Sequence, residues 1–371
     1  GHKDKRMTTT KKKKAMPVAV VGGSSSTNNV VMFDSKLKLE SFREKKEYYQ
    51  TVCLAVAYLG SCVEMENRVQ VSSSNNNSNN NSSNSNNTIN NSPRDVDHLI
   101  SVIIQAMTKF PNESMIHRYA IHSLGQIASL DETHAKAVVE SNGIHHVIDG
   151  MKNFSEDPKL MENGCHALGH LASTDDNRDL IFELNGIETI LDAMNRFEDD
   201  KLVQRFGCHA LGNIAATADD MYRDSVATLG GVQVILRAMK HFLRDSKVQK
   251  NGFHALGQIS LSGDGVLRET IANNGAIDTI LRGMKSFPSD SSVQENGCFA
   301  LAGVTDPRAP IGEEMRKMSL VCKAMKQFPD NQNIDMFGNI VLEHFQQQRK
   351  PSKSTKTPKP LLIPDTISFA T

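Results

Sequence analysis

Histidine is the residue type whose spacing in this chain could support metal binding or acid–base chemistry, because neutral imidazole binds metals and titrates near pH ~6.5. His166 and His170 are four residues apart, which places both rings on one face of a helix. Three more histidines continue the series at steps of 43 to 45 residues, namely His122, His209 and His254. Rings on separate elements are too far apart to share an ion with ligand distances of about 2 Å. We therefore predict no metal site.

The other residue types that commonly carry chemistry form no active-site pattern. Cys165, Cys208 and Cys298 recur at one position, and the six cysteines contain no C-x-x-C pair, so we interpret them as buried thiols in a reducing, cytoplasmic setting. Gly22-Gly23-Ser24 lacks the Gly-Lys-Ser/Thr of a phosphate loop. No Ser/His/Asp or Cys/His set stands out. We expect no enzyme activity and no cofactor.

The charge of the chain is divided between basic ends and an acidic body. The 371 residues carry 42 basic and 42 acidic groups, of which residues 17–345 hold 30 and 40, a net charge near −10. An acidic body disfavours nucleic acid, whose binding depends on cations facing phosphates. The basic ends could make weak contact with anionic surfaces, and Lys11–Lys14 leave a nuclear location open. No run approaches the ~18 apolar residues of a membrane span.

Three phrases recur along the chain and reveal an internal repeat. The first is Ala-Leu-Gly or a close variant, with its glycine at 125, 169, 212 and 257, that is at steps of 44, 43 and 45. The second is a Met followed three residues later by a Phe, as in Met151 and Phe154. The third is a turn, written Asn142-Gly143, Asn185-Gly186, Gly230-Gly231 and Asn274-Gly275.

Each period is predicted to contain three helices. In the best-defined unit, helix one covers roughly 176–184, the Asn-Gly turn ends it, and helix two covers 187–197 with apolar residues at helical spacing. Asp157-Pro158 has the pattern of an N-cap followed by Pro at the first position of helix three. Helix three carries an internal glycine at 164, 207, 252 and 297. Because glycine in a helix costs about 1 kcal/mol relative to Ala, its recurrence predicts a close approach of two helices.

A three-helix period near 44 residues resembles the armadillo repeat, and the Asn-Gly-Ile opening and the stretch Cys208–Ala215 are similar to that family's pattern. The resemblance implies an all-α, right-handed α-solenoid of about seven repeats over residues 34–345. We expect residues 1–33 to form a basic, mostly disordered tail and residues 346–371 a basic, Pro-rich disordered tail. The Ser/Asn-rich run 72–92 should be a disordered loop inside the first, degraded unit, where an insertion costs little.

The resemblance also implies a binding surface, since the third helices of armadillo proteins line a concave groove that receives an extended partner. The positions that match the family's Trp/Asn pairs are His122/Gln126, His166/His170, His209/Asn213, His254/Gln258 and Phe299/Gly303. One turn earlier on each helix the positions are charged, namely Arg118, Glu162, Arg205, Lys250 and Glu295. The histidines could pack locally, recognise an acidic or hydroxyl-bearing segment, or act as a pH switch.

The expected function is a non-catalytic scaffold or adaptor that binds a protein partner in this groove. A regulator of a small GTPase is an alternative, because some armadillo proteins resemble exchange factors. A nuclear-import-type carrier of basic signals is a further alternative. The family's carriers hold basic peptides with Trp and Asn side chains, whereas this chain has no Trp and matches the Asn position only at Asn213.

Overall fold

The computed structural model describes residues 93–217, 219–262, 265–305 and 319–348, and of 93–95 and 346–348 the backbone alone. This part of the chain is helical, without strands. Its sixteen helices are α1 (Pro93–Lys109), α2 (Ser114–Ala128), α3 (Glu132–Glu140), α4 (Gly143–Asn153), α5 (Pro158–Leu171), α6 (Asp175–Glu183), α7 (Gly186–Arg196), α8 (Lys201–Ala215), α9 (Asp220–Thr228), α10 (Gly231–His241), α11 (Ser246–Ile259), α12 (Gly265–Asn273), α13 (Ala276–Ser286), α14 (Ser291–Val304), α15 (Ser319–Gln327) and α16 (Gln332–Gln348). Among them, no apolar stretch has the length needed to span a bilayer.

These helices repeat in the predicted order of short first, second and third helix. The first helices are α3, α6, α9 and α12, the second are α1, α4, α7, α10, α13 and α15, and the third are α2, α5, α8, α11, α14 and α16. The architecture is therefore an all-α solenoid of stacked three-helix units. The predicted N-terminal tail 1–33, the first unit with its Ser/Asn-rich run, and residues 349–371 of the C-terminal tail lie outside the described residues.

Aspartate caps begin the third helices, as the Asp157-Pro158 pair predicts. The Asp157 carboxylate accepts from the backbone N–H groups of Lys159 (3.0 Å) and Leu160 (3.1 Å), and Pro158 opens α5. Asp200 and Asp245 each accept from two backbone N–H groups at the start of α8 and α11, and Asp290 accepts from one at the start of α14. Such a side chain satisfies N–H groups that the helix itself leaves unpaired.

The turn between the first and second helix depends on one residue in the left-handed conformation. Asn142 (φ 60°) and Asn185 (φ 57°) hold it in two units, and Gly230 (φ 87°) and Gly275 (φ 81°) hold it in the next two. The pairing of Asn274-Gly275 with Asn142-Gly143 is therefore wrong by one residue, because Gly275 takes the place of Asn142. Asn tolerates this conformation better than most side chains, which is why both Asn and Gly occur at this position.

The close approach predicted at the internal glycine of helix three is present, and its partner is the methionine of helix two. A Cβ added at Gly252 would lie 2.5 Å from Cγ and 2.6 Å from Sδ of Met239. The same relation recurs in five units, as Gly164–Met151, Gly207–Met194, Gly252–Met239, Gly297–Met284 and Gly338–Met325. The recurring methionine of helix two and the recurring internal glycine of helix three are thus the two halves of one contact inside each repeat.

The third helices pack on one another along the whole stack, whereas consecutive second helices touch at few points. The glycine of the Ala-Leu-Gly phrase permits this, because an aromatic or imidazole ring of the next repeat lies against its bare Cα. The closest contacts between neighbouring repeats therefore lie at their third helices.

Two polar devices that close helix ends were not anticipated from the sequence. Gln249 donates its amide to the carbonyls of Met239 (2.7 Å) and Phe242 (3.1 Å) at the end of α10, and Gln204 and Gln294 repeat the contact in their units. The second device is an arginine at the fourth position of three first helices, Arg178 in α6, Arg223 in α9 and Arg268 in α12. Each donates to the end of a third helix.

Candidate binding surface of the third helices

A column of rings runs along the third helices, and most of its members come from the series of histidines. The ring of His166 lies against Gly125, that of His209 against Gly169 and that of His254 against Gly212. Phe299 takes the same place against Gly257. Each ring therefore joins its own repeat to the preceding one, and a phenyl or an imidazole ring fits the position.

The rings also contact one another. His166 and His170 lie edge to face with centroids 4.7 Å apart, and His170 and His209 are 5.2 Å apart, so the expectation that rings on separate repeats lie far apart is wrong for this pair. Phe206 meets His166 at 4.7 Å, and Phe299 meets Phe337 at 5.1 Å. The local packing that was one interpretation of the histidines is thus observed for these members of the column.

The residues assigned to the groove by resemblance differ in how much surface they offer. Phe299, Gln126 and His166 are closed inside the stack, with 1%, 5% and 9% of their surface exposed, and Gly303 is buried too. These buried residues pack beneath the surface of the third helices and are not available to a partner. The half-buried members, which a partner could touch, are His122, His170, His209, Asn213, His254 and Gln258.

Burial keeps the central imidazoles neutral. It lowers the pKa of His166 and of His209 well below the usual 6.5, and the neighbouring His170 ring lowers both further. Burial and the ammonium of Lys250 lower the pKa of His254 to about 4. At neutral pH these rings therefore act as uncharged hydrogen-bonding groups.

Three of the five charged residues one turn earlier on each helix, Arg118, Glu162 and Glu295, contact nearby side chains of the opposite charge or of asparagine. Arg118 is held by the Asp157 carboxylate at 2.6 Å, and Glu162 is held by Lys159 at 2.7 Å. Glu295 accepts from Asn333 of α16 and from Asn331 just before that helix, both at 2.9 Å.

Arg205 and Lys250 are instead near each other. The Arg205 guanidinium lies 4.8 Å from the ring of Phe206. Burial lowers the pKa of Lys250, and the charge of Arg205 lowers it further, while Asp290 and Glu295 act in the opposite direction. The middle of the wall is its most cationic part.

Asn213, the residue in the position of the family's asparagine, ties two repeats together. Its Nδ2 donates to the carbonyl of Gly169 at 2.8 Å and lies 3.2 Å from Nε2 of His209. An amide that donates one hydrogen to each leaves Nε2 of His209 as the acceptor, which places the ring proton on Nδ1.

A cleft of about 300 Å³ opens beside this asparagine, between α2, α3, α5 and α8. Three of the residues that line the cleft are predicted groove residues, His170, His209 and Asn213. The rest comes from residues that sequence reasoning missed, Ala128, Asp131, Glu132, Ala135, Gly169 and Ser173. The described residues contain no group of three or more His, Cys, Asp or Glu side chains that could hold a metal ion.

Comparison with known proteins shows which repeat fold the architecture resembles. A model described as the LRRK2 ARM repeat matches residues 87–226. A designed armadillo repeat protein superposes with a TM-score of 0.53 at 17% identity, over 65% of this chain and 98% of its own. The chain has the fold of armadillo repeat proteins.

Two further solved structures have a similar fold. An engineered protein superposes with a TM-score of 0.53 at 23% identity, covering 68% of this armadillo-type chain and 97% of its own. Another designed armadillo repeat protein, solved in complex with the peptide (KR)4, superposes with a TM-score of 0.51 at 15% identity, covering 66% and 98%. No curated protein sequence matches the chain.

Proposed function

We propose that this armadillo-type protein is a non-catalytic, cytoplasmic scaffold that binds an extended segment of a partner protein along its third helices. The observation that supports the proposal most directly is the row of half-buried polar side chains at one-repeat intervals on the third helices. The helices beneath it are fixed by ring-on-glycine contacts between repeats and methionine-on-glycine contacts within them. A surface that is ordered before binding loses little conformational freedom when the partner docks.

The chemistry of the wall favours a segment that carries carboxylates. Arg205 and Lys250 supply charge at its centre, and a guanidinium binds a carboxylate through two parallel hydrogen bonds. The neutral rings of His209 and His254 next to them offer hydrogen bonds without adding repulsion. An acidic residue of the partner opposite Arg205 is therefore the expected anchor.

A carrier of basic signals is less consistent with this surface. The designed armadillo repeat protein with the (KR)4 peptide shows that the fold can accept a cationic segment. In this chain the cations at the centre would repel such a segment, and the Trp side chains of the family's carriers are absent from the sequence. We expect (KR)4 to bind more weakly than a peptide of equal length that contains Glu.

Display of a random peptide library against the full chain tests the proposal. We expect the selected peptides to be enriched in Asp and Glu and to bind at least tenfold more weakly to the Arg205→Glu variant. Arg237→Glu is the matched control, since Arg237 makes its contacts on the second-helix side with Asn195 and Glu198. A library without binders, or binders equally affected by both variants, would overturn the proposal.

A further inference from the structure

We propose that the cleft between α2, α3, α5 and α8 binds an arginine side chain of the partner segment. The inference rests on the proposed function for the source of that arginine. The cleft itself is explained by the repeat, because three following units fill the equivalent place with an arginine of the chain. The first helix α3 has Ala135 at its fourth position, where α6, α9 and α12 have Arg178, Arg223 and Arg268.

The chain's own arginines show which groups surround a guanidinium at this place. Arg268 donates to the carbonyls of Ser260 (3.1 Å) and Ser262 (3.2 Å), just past the end of the preceding third helix. Arg223 donates to Ala215 O at 3.3 Å and also to Thr217 O. Carbonyls at a helix C-terminus carry partial negative charge and suit a cation.

A carboxylate completes the arrangement in two of these units. Arg223 contacts Asp220 Oδ1 at 2.7 Å, and Arg178 contacts Asp175 Oδ1 at 2.7 Å, in each case the first residue of the same helix. Arg178 also donates to Asn213 O, at 3.0 Å, on the following third helix. The guanidinium thus joins the first helix to a third helix, the preceding one for Arg223 and Arg268 and the following one for Arg178.

The cleft at Ala135 keeps the equivalents of these acceptors. Counting from the Ala-Leu-Gly glycines, Ala128 corresponds to Ala215 and Ser260, and His170 corresponds to Asn213. Glu132 is the first residue of α3 and corresponds to Asp175 and Asp220. All three of these residues line the cleft, and the buried methyl group of Ala135 is what remains of the missing side chain.

Neighbouring groups add to the preference for a cation. Asp131 stands at the mouth, and although burial raises its pKa, hydrogen bonds from the backbone and ring of His134 leave that pKa lowered overall, so the carboxylate is ionised at neutral pH. Asn213 and His170 also line the cleft and bring polar side chains to it. A guanidinium, with five N–H donors in a planar fork, matches several separate acceptors better than an ammonium.

An arginine in the cleft is compatible with a carboxylate at Arg205. Successive side chains of an extended segment point to opposite sides. On α8, Asn213 lies eight residues beyond Arg205, about 12 Å along the helix. Adjacent acidic and arginine residues of a segment crossing the helices can therefore reach the two places at once. The partner segment should contain Glu-Arg or Asp-Arg steps.

The decisive variant is Ala135→Arg in the full chain, which supplies the arginine that the other units have. If the cleft is the seat of a guanidinium, Ala135→Arg should raise the melting temperature by about 2–4 °C. Ala135→Leu, with a similar apolar volume and no donors, should lower it. Equal destabilisation by both substitutions would overturn the inference, whatever the chain binds.

Binding is measured with the labelled peptides (ER)4, (EK)4 and an octamer that alternates Glu with citrulline, an uncharged isostere of arginine. We expect (ER)4 to bind at least fivefold more tightly than the other two, and Ala135→Arg to remove that advantage. Equal binding of the three peptides would refute the arginine site and leave the acidic anchor intact. If the display library also yields no binders, the proposed function fails as well.

Discussion

The ring of His254 provides a quantitative test of the packing between the third helices. Its pKa is lowered from 6.5 to about 4 by burial and by Lys250, whereas in the unfolded chain it returns to about 6.5. The unfolded state therefore binds more protons below pH ~6.5, and stability is lost as the pH falls from there toward about 4. Linkage gives a loss of about 2 kcal/mol between pH 8 and pH 5 for this one residue.

His254→Phe should remove that loss without removing the contact. Phe299 already occupies the equivalent place against Gly257, as His254 does against Gly212, so a phenyl ring fits. We expect the variant to lose about 2 kcal/mol less free energy of unfolding than the wild type between pH 8 and pH 5. The reciprocal variant Phe299→His should increase the pH dependence, because that position is 1% exposed.

The assay is urea unfolding followed by circular dichroism at pH 8 and pH 5, at one ionic strength. The slope of free energy against urea must agree between variants, since repeat proteins can unfold in steps. If both His254→Phe and Phe299→His left the pH dependence unchanged, burial of a histidine ring at this position would not set the pH dependence of the free energy of unfolding.

Three further expectations concern packing, helix ends and thiols. Gly252→Ala should destabilise the fold by about 1–2 kcal/mol despite the higher helix propensity of Ala, because the new methyl group meets Met239; adding Met239→Val should restore most of it in thermal unfolding. Arg268→Leu should cost about 2 kcal/mol and speed hydrogen exchange in the turn after α11, whereas an unchanged exchange rate would show that its bonds contribute nothing. Among the cysteines of the described residues, the half-buried Cys322 should react with a thiol reagent first in peptide-resolved mass spectrometry. Burial raises the pKa to about 12 for the other three, Cys165, Cys208 and Cys298, and their reaction in the native protein at a comparable rate would contradict this.

The sequence predicts the helices of this fold because their ends are marked by local chemistry. Asp157-Pro158 and the left-handed residue at Asn185 act through their own backbone neighbours, so short patterns suffice to locate them. The helix boundaries expected at 176–184 and 187–197 agree with α6 and α7 within one residue. The shifted turn at Gly275 escaped because Asn and Gly can both occupy the left-handed position, and Asn274-Gly275 offers both in adjacent places.

What the sequence could not supply is the partner of each contact across helices. The glycines of helix three predict a close approach, but that Met239 faces Gly252 depends on how the second helix folds back. The burial of Phe299 and His166 likewise depends on the distance to the next repeat, which periodicity does not contain. The arginines at 178, 223 and 268 recur at steps of 45 and were detectable, yet the meaning of Ala135 emerges from their contacts.

The ring-on-glycine contact has a consequence for how the length of this protein can change. Removing residues 186–230 would join Asn185, which is already left-handed, to Gly231 at the start of α10. The ring of His254 would then rest on Gly169, where His209 rests now. Because the four ring-on-glycine joints are built alike, gene duplication or loss of one of these periods would lengthen or shorten the solenoid without any need for compensating mutations at the seam.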